Sequence, residues 1–159
     1  MNWFECGVSY QSLGGETGLK TEKKVFLVDA ISFAEAENIV SEYNIPFNSG
    51  EFKVEKIRVA KIAEIIDNGT GDRWYKGKIT FLSVVVDEKK GKEVEKKVSL
   101  FYLVKAEKLQ DAVENLIEFH KTTQSDYTIV SVTETLIEEV LKYQAKPQDT
   151  SNQTQDTSN

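Results

Sequence analysis

Cysteine occurs once in this chain, as Cys6, and histidine once, as His120. A lone cysteine excludes an internal disulfide framework and a cysteine-rich metal site, and it fits a reducing, intracellular compartment. A lone histidine leaves a nucleophile triad one choice of base, and His120 ends an apolar helical stripe, where a half-buried structural role is expected. A Cys6–His120 thiolate pair is disfavoured because nothing flanking Cys6 supplies positive charge. Clustered metal ligands are missing, and GGETG lacks the Lys-Ser/Thr ending of a phosphate loop, so it reads as a hairpin turn. The sequence therefore calls for no metal, no cofactor and no catalytic residues, and the expectation is a protein that is not an enzyme.

Other absences bound the setting. No apolar run approaches the roughly 20 residues of a membrane helix, and MNWFECGVSY lacks the basic-then-apolar profile of a signal peptide. A soluble, cytosolic protein with no membrane partner is expected. There is no overall basic excess either: the net charge is -6 and the pI near 5.0, which opposes general nucleic-acid binding at long range. Any such binding has to be local.

What is present is a folded composition, 40% hydrophobic over 159 residues, and an internal echo. Sliding the chain by 71 residues lays NWFECGVSY on RWYKGKITF, with Trp3 on Trp74, Phe4 on Tyr75 and Val8 on Ile79. An offset of 76 matches LVDAISFAEAENIV with LVKAEKLQDAVENL, and an offset of 75 matches FKVEKIRVAKIAEII with YTIVSVTETLIEEVL. Each unit reads as strand, hairpin, strand, helix, strand.

The first hairpin turns at Gly14-Gly15, and its return strand covers residues 23–30. Ser32 reads as an N-cap with Glu35 completing a capping box. Phe33, Ala36, Ile39, Val40 and Tyr43 make one helical stripe, which Pro46 ends. Leu109, Ala112, Val113, Leu116, Ile117 and His120 make the other. Residues 60–66 and 135–141 satisfy both strand and short helix, and strand is preferred. The expected fold class is α+β: a tandem duplication of a β-β-α-β unit forming a pseudo-twofold single domain. The boundaries are 1–66 for the first repeat, 67–72 (DNGTGD) for a linker, 73–143 for the second repeat and 144–159 for a disordered tail with no apolar residue after Ala145.

The two units differ in charge. Residues 1–71 carry 7 basic and 11 acidic side chains, whereas residues 73–147 carry 13 and 12. The basic side chains of the second unit gather on one expected hairpin that opens with two aromatics. Rings beside lysines suit single-stranded nucleic acid, since bases stack on rings and phosphates pair with ammonium groups. The candidate contacts are Trp74, Tyr75, Lys76, Lys78, Lys89, Lys90, Lys92 and Lys97, with Trp3 and Phe4 as a second platform. The competing reading makes Trp3 and Trp74 paired core residues that close the interface between the units.

MNWFECGVSY, SGEFKVEKIRVAKIAEI, DRWYKGKITF and DYTIVSVTETLIEEV together resemble an uncharacterised family of small proteins from Bacteroides phages and prophages, classed as a domain of unknown function. The resemblance covers residues 1–143 and brings no functional residues with it. It implies a mobile-element accessory protein in the host cytosol that works by binding. The expected partner is single-stranded nucleic acid in replication or recombination; the alternatives are a host protein that it inhibits or redirects, and a structural role in the virion.

Overall fold

Phe4, Cys6 and Val8 alternate with Glu5 and Gly7, and this period-two pattern makes a strand, as it does again from Arg73 onward. The computed structural model describes residues 2–14, 18–45 and 51–142. Within them the order is β1 (Asn2–Leu13), β2 (Leu19–Ala30), α1 (Phe33–Asn44), β3 (Phe52–Ala60), β4 (Glu64–Ile66), β5 (Arg73–Asp87), β6 (Lys92–Ala106), α2 (Leu109–Phe119), β7 (Asp126–Glu134) and β8 (Ile137–Leu141). The chain is mixed α+β and mostly strand. Gly15, the expected helix stop Pro46 and the 144–159 tail lie outside the described residues.

The ten elements form two four-stranded sheets, ordered β3-β1-β2-β8 and β4-β6-β5-β7. The expected β-β-α-β unit is corrected by this topology. In each half the last strand breaks in two, at residues 61–63 and at Thr135-Leu136, and its second piece leaves its own sheet. β4 pairs in parallel with β6, and β8 pairs in parallel with β2. The strand preference for residues 60–66 and 135–141 thus holds for 64–66 and 137–141.

The two exchanges match in register. Ile65 faces Leu103 and Ile66 faces Val104, as Val140 faces Leu27 and Leu141 faces Val28. The antiparallel pairings echo each other too, with a register shift between Gly7 and Val8 against β3 and another between Lys78 and Ile79 against β7.

Each helix covers one face of one sheet. Ala36 and Val40 of α1 close a core of Phe4, Cys6, Val8, Phe26 and Val28, while Ala112 and Leu116 of α2 close one of Tyr75, Ile79, Tyr102 and Val104. The apolar stripes are narrower than their spacing suggests: Phe33, Leu109 and Ile117 are about half exposed, because one sheet shields only a narrow face of each short helix. Ser32 does cap α1, its Oγ accepting from the Glu35 amide at 3.1 Å. The return arm of the capping box is missing, since Glu35 Oε1 is buried without a hydrogen-bond partner.

A third cluster forms on the sheet faces that point away from the helices. Leu27, Trp74 and Leu103 are buried there, with Trp3, Ile62, Ile65, Ile137 and Val140 packed against them. Leu27 and Trp3 belong to the first sheet and Trp74 and Leu103 to the second, while Ile65 and Val140 come from the exchanged strands. This is the paired-tryptophan interface that the competing sequence reading expects.

The DNGTGD segment is shaped rather than slack. Asp67 and Asn68 carboxyl and amide oxygens accept from the Gly69 and Thr70 amides, and Gly71 lies against the backbone of Ala106, where a Cβ would come within 2.3 Å of a carbonyl carbon.

Two stability predictions follow from these contacts. Trp74→Ala is expected to cost about 3 to 5 kcal/mol as a large core deletion, read by denaturant unfolding; an unchanged midpoint would put the ring on the surface. Gly69 and Gly71 both have positive φ, but only Gly71 lacks room for a methyl group. Gly69→Ala should therefore lose about 1 to 2 kcal/mol from backbone strain alone, and Gly71→Ala should lose clearly more in the same experiment.

Candidate functional site

Burial separates the residues that the sequence groups as one nucleic-acid surface. Trp74 and Tyr75 are only 3% and 2% exposed, and Phe4 is equally buried. Trp3 is half-buried against the inter-sheet cluster. Phe4, Trp74 and Tyr75 present no open face for a base, because each is a buried core residue, which corrects the stacking role expected of them; Trp3 keeps part of its surface exposed. The lysines fare differently. Lys76, Lys89, Lys90, Lys92 and Lys97 are exposed and Lys78 is half-buried.

Along β5 these cations do not form one patch. Lys76 stands opposite Leu103 at the packed end, with its Nζ 4.7 Å from the Phe101 ring centroid, while Lys92 stands opposite Asp87 at the hairpin tip. That separation is roughly 35 Å of strand.

The far half of the β5–β6 hairpin is an arm. β7 accompanies β5 only as far as Leu82, and β4 accompanies β6 only from Tyr102, so beyond these points the ribbon has two open edges among the described residues. Val84, Val85, Val86 and Val94 are all exposed on it, between 46% and 61%. Lys89, Lys90, Lys92, Lys96 and Lys97 alternate there with Asp87, Glu88, Glu93 and Glu95, so the arm is close to neutral. A shallow cleft of about 510 Å³ lies where the arm meets β7, lined by Leu82, Lys97, Asp126 and Val130 among others.

The second feature lies at the end of α1. A half-open cavity of about 230 Å³ is walled by Tyr10, Phe26 and Tyr43, floored by Asn44 and edged by Lys24, Glu138 and Glu139. Phe26 and Tyr43 meet edge to face at 5.6 Å. The Tyr10 hydroxyl donates to Glu22 at 2.8 Å, and Lys24 Nζ sits 5.5 Å from the Tyr10 ring and 3.5 Å from Glu138. These contacts hold Glu22 below the usual carboxylate range, chiefly through the phenol hydrogen bond, and raise Lys24, chiefly through Tyr10 and then Glu138. Both glutamates reach the cavity because the β2–β8 register slips between Val25 and Phe26, turning two consecutive side chains toward one site.

The equivalent place at the end of α2 is filled. His120 is 3% exposed, more buried than its sequence position suggests, and its ring is surrounded by Tyr102 at 4.8 Å, Phe119 at 5.0 Å, Tyr127 at 5.2 Å and Phe81 at 5.8 Å. Its Nδ1 lies 2.8 Å from the Leu116 carbonyl, and its buried Nε2 has no hydrogen-bond partner. The sequence signal that finds both places is the aromatic set that repeats between the two halves, Tyr10, Phe26 and Tyr43 against Phe81, Tyr102 and Phe119. That set reads as core in a linear pattern, so the cavity escaped the sequence analysis.

Residues 2–143 match the family described as Domain of unknown function (DUF4494). The chain belongs to the DUF4494 family. No curated protein and no solved structure is significantly similar to it. In this DUF4494 chain no helix among the described residues is long and apolar enough to cross a membrane. Nor do three or more His, Cys, Asp or Glu side chains among those residues gather closely enough to hold a metal ion.

Cys6 belongs to the core under α1 and His120 to the core under α2, so the two do not meet. Burial first, then the charges of Glu5 and Glu37, push the Cys6 thiol from 9.0 up to about 12. A thiol so protonated is a packing group rather than a nucleophile.

The raised value has a pH consequence of definite sign. The native state keeps the proton that the unfolded chain releases, so this contribution is whole below about pH 9 and is lost as pH rises toward about 12. Stability measured by denaturant unfolding should fall over that window in the parent and fall less steeply in Cys6→Val. A thiol-reactive dye should label Cys6 only on unfolding; fast labelling of the native chain would contradict the burial.

Proposed function

We propose that this chain is a non-enzymatic accessory protein that binds a protein partner through the β5–β6 arm. The observation that carries the reading is the exposure of Val84, Val85, Val86 and Val94 on a two-stranded ribbon with open edges. Aliphatic side chains on a projecting hairpin cost solubility unless another surface covers them, and open strand edges are ready to pair with a second chain. The arm's near-neutral charge suits a protein surface better than a phosphate backbone. The burial of Trp74, Tyr75 and Phe4 removes the rings that single-strand binding calls for.

The resemblance to proteins of Bacteroides phages and prophages supplies the setting. The partner is then a host protein or a component of the mobile element's own machinery. The same proposal takes the two halves as products of a duplication, supported by matched sheet orders and matched registers. A duplication that kept the fold left the second hairpin free to lengthen into an arm, since loop closure entropy rises slowly with length.

A second reading rests on one observation, the exposure of Lys89, Lys90, Lys92 and Lys97 near the tip: the arm then contacts single-stranded nucleic acid through phosphates alone.

A triple variant, Val84→Ser/Val86→Ser/Val94→Ser, separates the readings, because all three side chains are exposed and the fold should keep its melting temperature. Co-purification from the native host should yield a stoichiometric protein that the parent retains and the variant loses. A partner held equally by both would overturn the arm as the contact surface. Lys89→Glu/Lys90→Glu/Lys92→Glu/Lys97→Glu should leave that partner's binding within a few-fold. Salt-sensitive binding of an oligonucleotide by the parent, abolished in the lysine variant, would favour the second reading instead.

A further inference from the structure

Asn44 and His120 occupy the same place in the two halves, and their difference opens the cavity at the end of α1. Both close their helix from the side chain. Asn44 Nδ2 donates to the Val40 carbonyl at 2.7 Å, as His120 Nδ1 approaches the Leu116 carbonyl at 2.8 Å. Beyond that shared bond the imidazole continues into a ring cage, whereas the shorter asparagine stops. The walls nonetheless remain: Phe26 takes the position of Tyr102, Tyr43 that of Phe119 and Tyr10 that of Phe81. The empty volume therefore offers a small flat group the rings of Tyr10 and Tyr43, with Phe26 buried behind them.

Charge selects among flat groups. Glu138 and Glu139 edge the opening and Glu22 is tied to the Tyr10 hydroxyl, against the single cation Lys24. Lys24 is already engaged with Glu138 and the Tyr10 ring. Glu139 is half-buried, and among the described residues no salt bridge reaches it. Aromatic faces carry negative charge at their centres and attract cations, the more so when solvent is excluded. A planar cation satisfies both the shape and the field, and a guanidinium offers a flat fork of donors that matches a carboxylate.

We propose that this pocket is a binding site for a guanidinium group, held against the Tyr10 and Tyr43 rings and paired with Glu139. The site is independent of the arm, which belongs to the other sheet. Its ligand is either a free guanidino compound or an arginine side chain presented by a partner.

The test is calorimetric titration of the full chain with acetyl-arginine amide, with its neutral urea isostere acetyl-citrulline amide, and with agmatine. The arginine probe should bind at least about tenfold more tightly than the citrulline probe, the margin that a cation over aromatic faces and one carboxylate pair supplies. Glu139→Gln, a change at the edge of the cavity, should remove most of that preference. Asn44→His copies the filled half, so it should raise the melting temperature and abolish binding of every probe. Stronger binding of agmatine than of capped arginine upholds the site for a free compound, and the reverse order upholds it for a side chain. Equal binding of the arginine and citrulline probes, unchanged binding in Glu139→Gln, or no saturable heat at millimolar probe would overturn the proposal. Glu139→Gln keeps the experiment decisive should Asn44→His fail to fold.

Discussion

Everything in this fold depends on the exchange of its shortest strands. Without β8, the edge of β2 at Phe26, Leu27 and Val28 would face water, yet all three side chains are buried. Without β4, Leu103 and Val104 of β6 would stand open in the same way. Each half, about 70 residues long, is too small to bury a comfortable core alone. The exchange gives each sheet its fourth strand from the other half and brings the two tryptophans into one cluster. Parallel pairing demands a long crossover, and the chain meets that demand by passing through the other half.

That arrangement also accounts for the site at the end of α1. The exchanged strand β8 brings Glu138 and Glu139 to the far end of the first sheet, where Tyr10, Phe26 and Tyr43 already converge from β1, β2 and α1. At the matched position of the second sheet, the residues of β4 opposite β6 are Glu64, Ile65 and Ile66, and the space beside α2 is taken by His120. A difference of one side chain at the helix end thus separates a cavity from a packed cage. Close packing makes such an exchange consequential, because interiors have little slack in which to absorb a missing ring.

The arm expresses the opposite physics. Its strands obtain hydrogen bonds from each other but no covering layer, so its valines are held in water by backbone pairing rather than by burial. Only the four turn residues 88–91 at the tip, with Gly91 at positive φ, close it. The packed end of the same hairpin contains Gly77, where a Cβ would lie 2.6 Å from Leu116 Cδ1, so helix and sheet approach more closely there than any side chain would permit. One hairpin therefore runs from a close helix–sheet contact at Gly77 to an uncovered surface at its tip.

By itself the sequence determined which segments are strand and which are helix, except at residues 60–66 and 135–141, whose pattern satisfies both. Period-two alternation around Cys6 and Ile79, the Ser32 cap and the helical spacing of Ala36 and Val40 are local signals, set by backbone geometry and by side chains a few residues apart. It also carried the correspondence of the two halves, because that is a comparison of residues with residues. Which sheet each last strand joins was decided only by the tertiary structure, since Ile65 and Val140 read as apolar strand residues whichever edge they cover. The same holds for the site. Trp74 beside Lys76 has one linear pattern whether the ring is buried or exposed, and only packing against Leu27 and Leu103 removed it from the surface. The cavity beside Asn44 is likewise a property of what the surrounding rings enclose, and an enclosed volume has no signature along a chain.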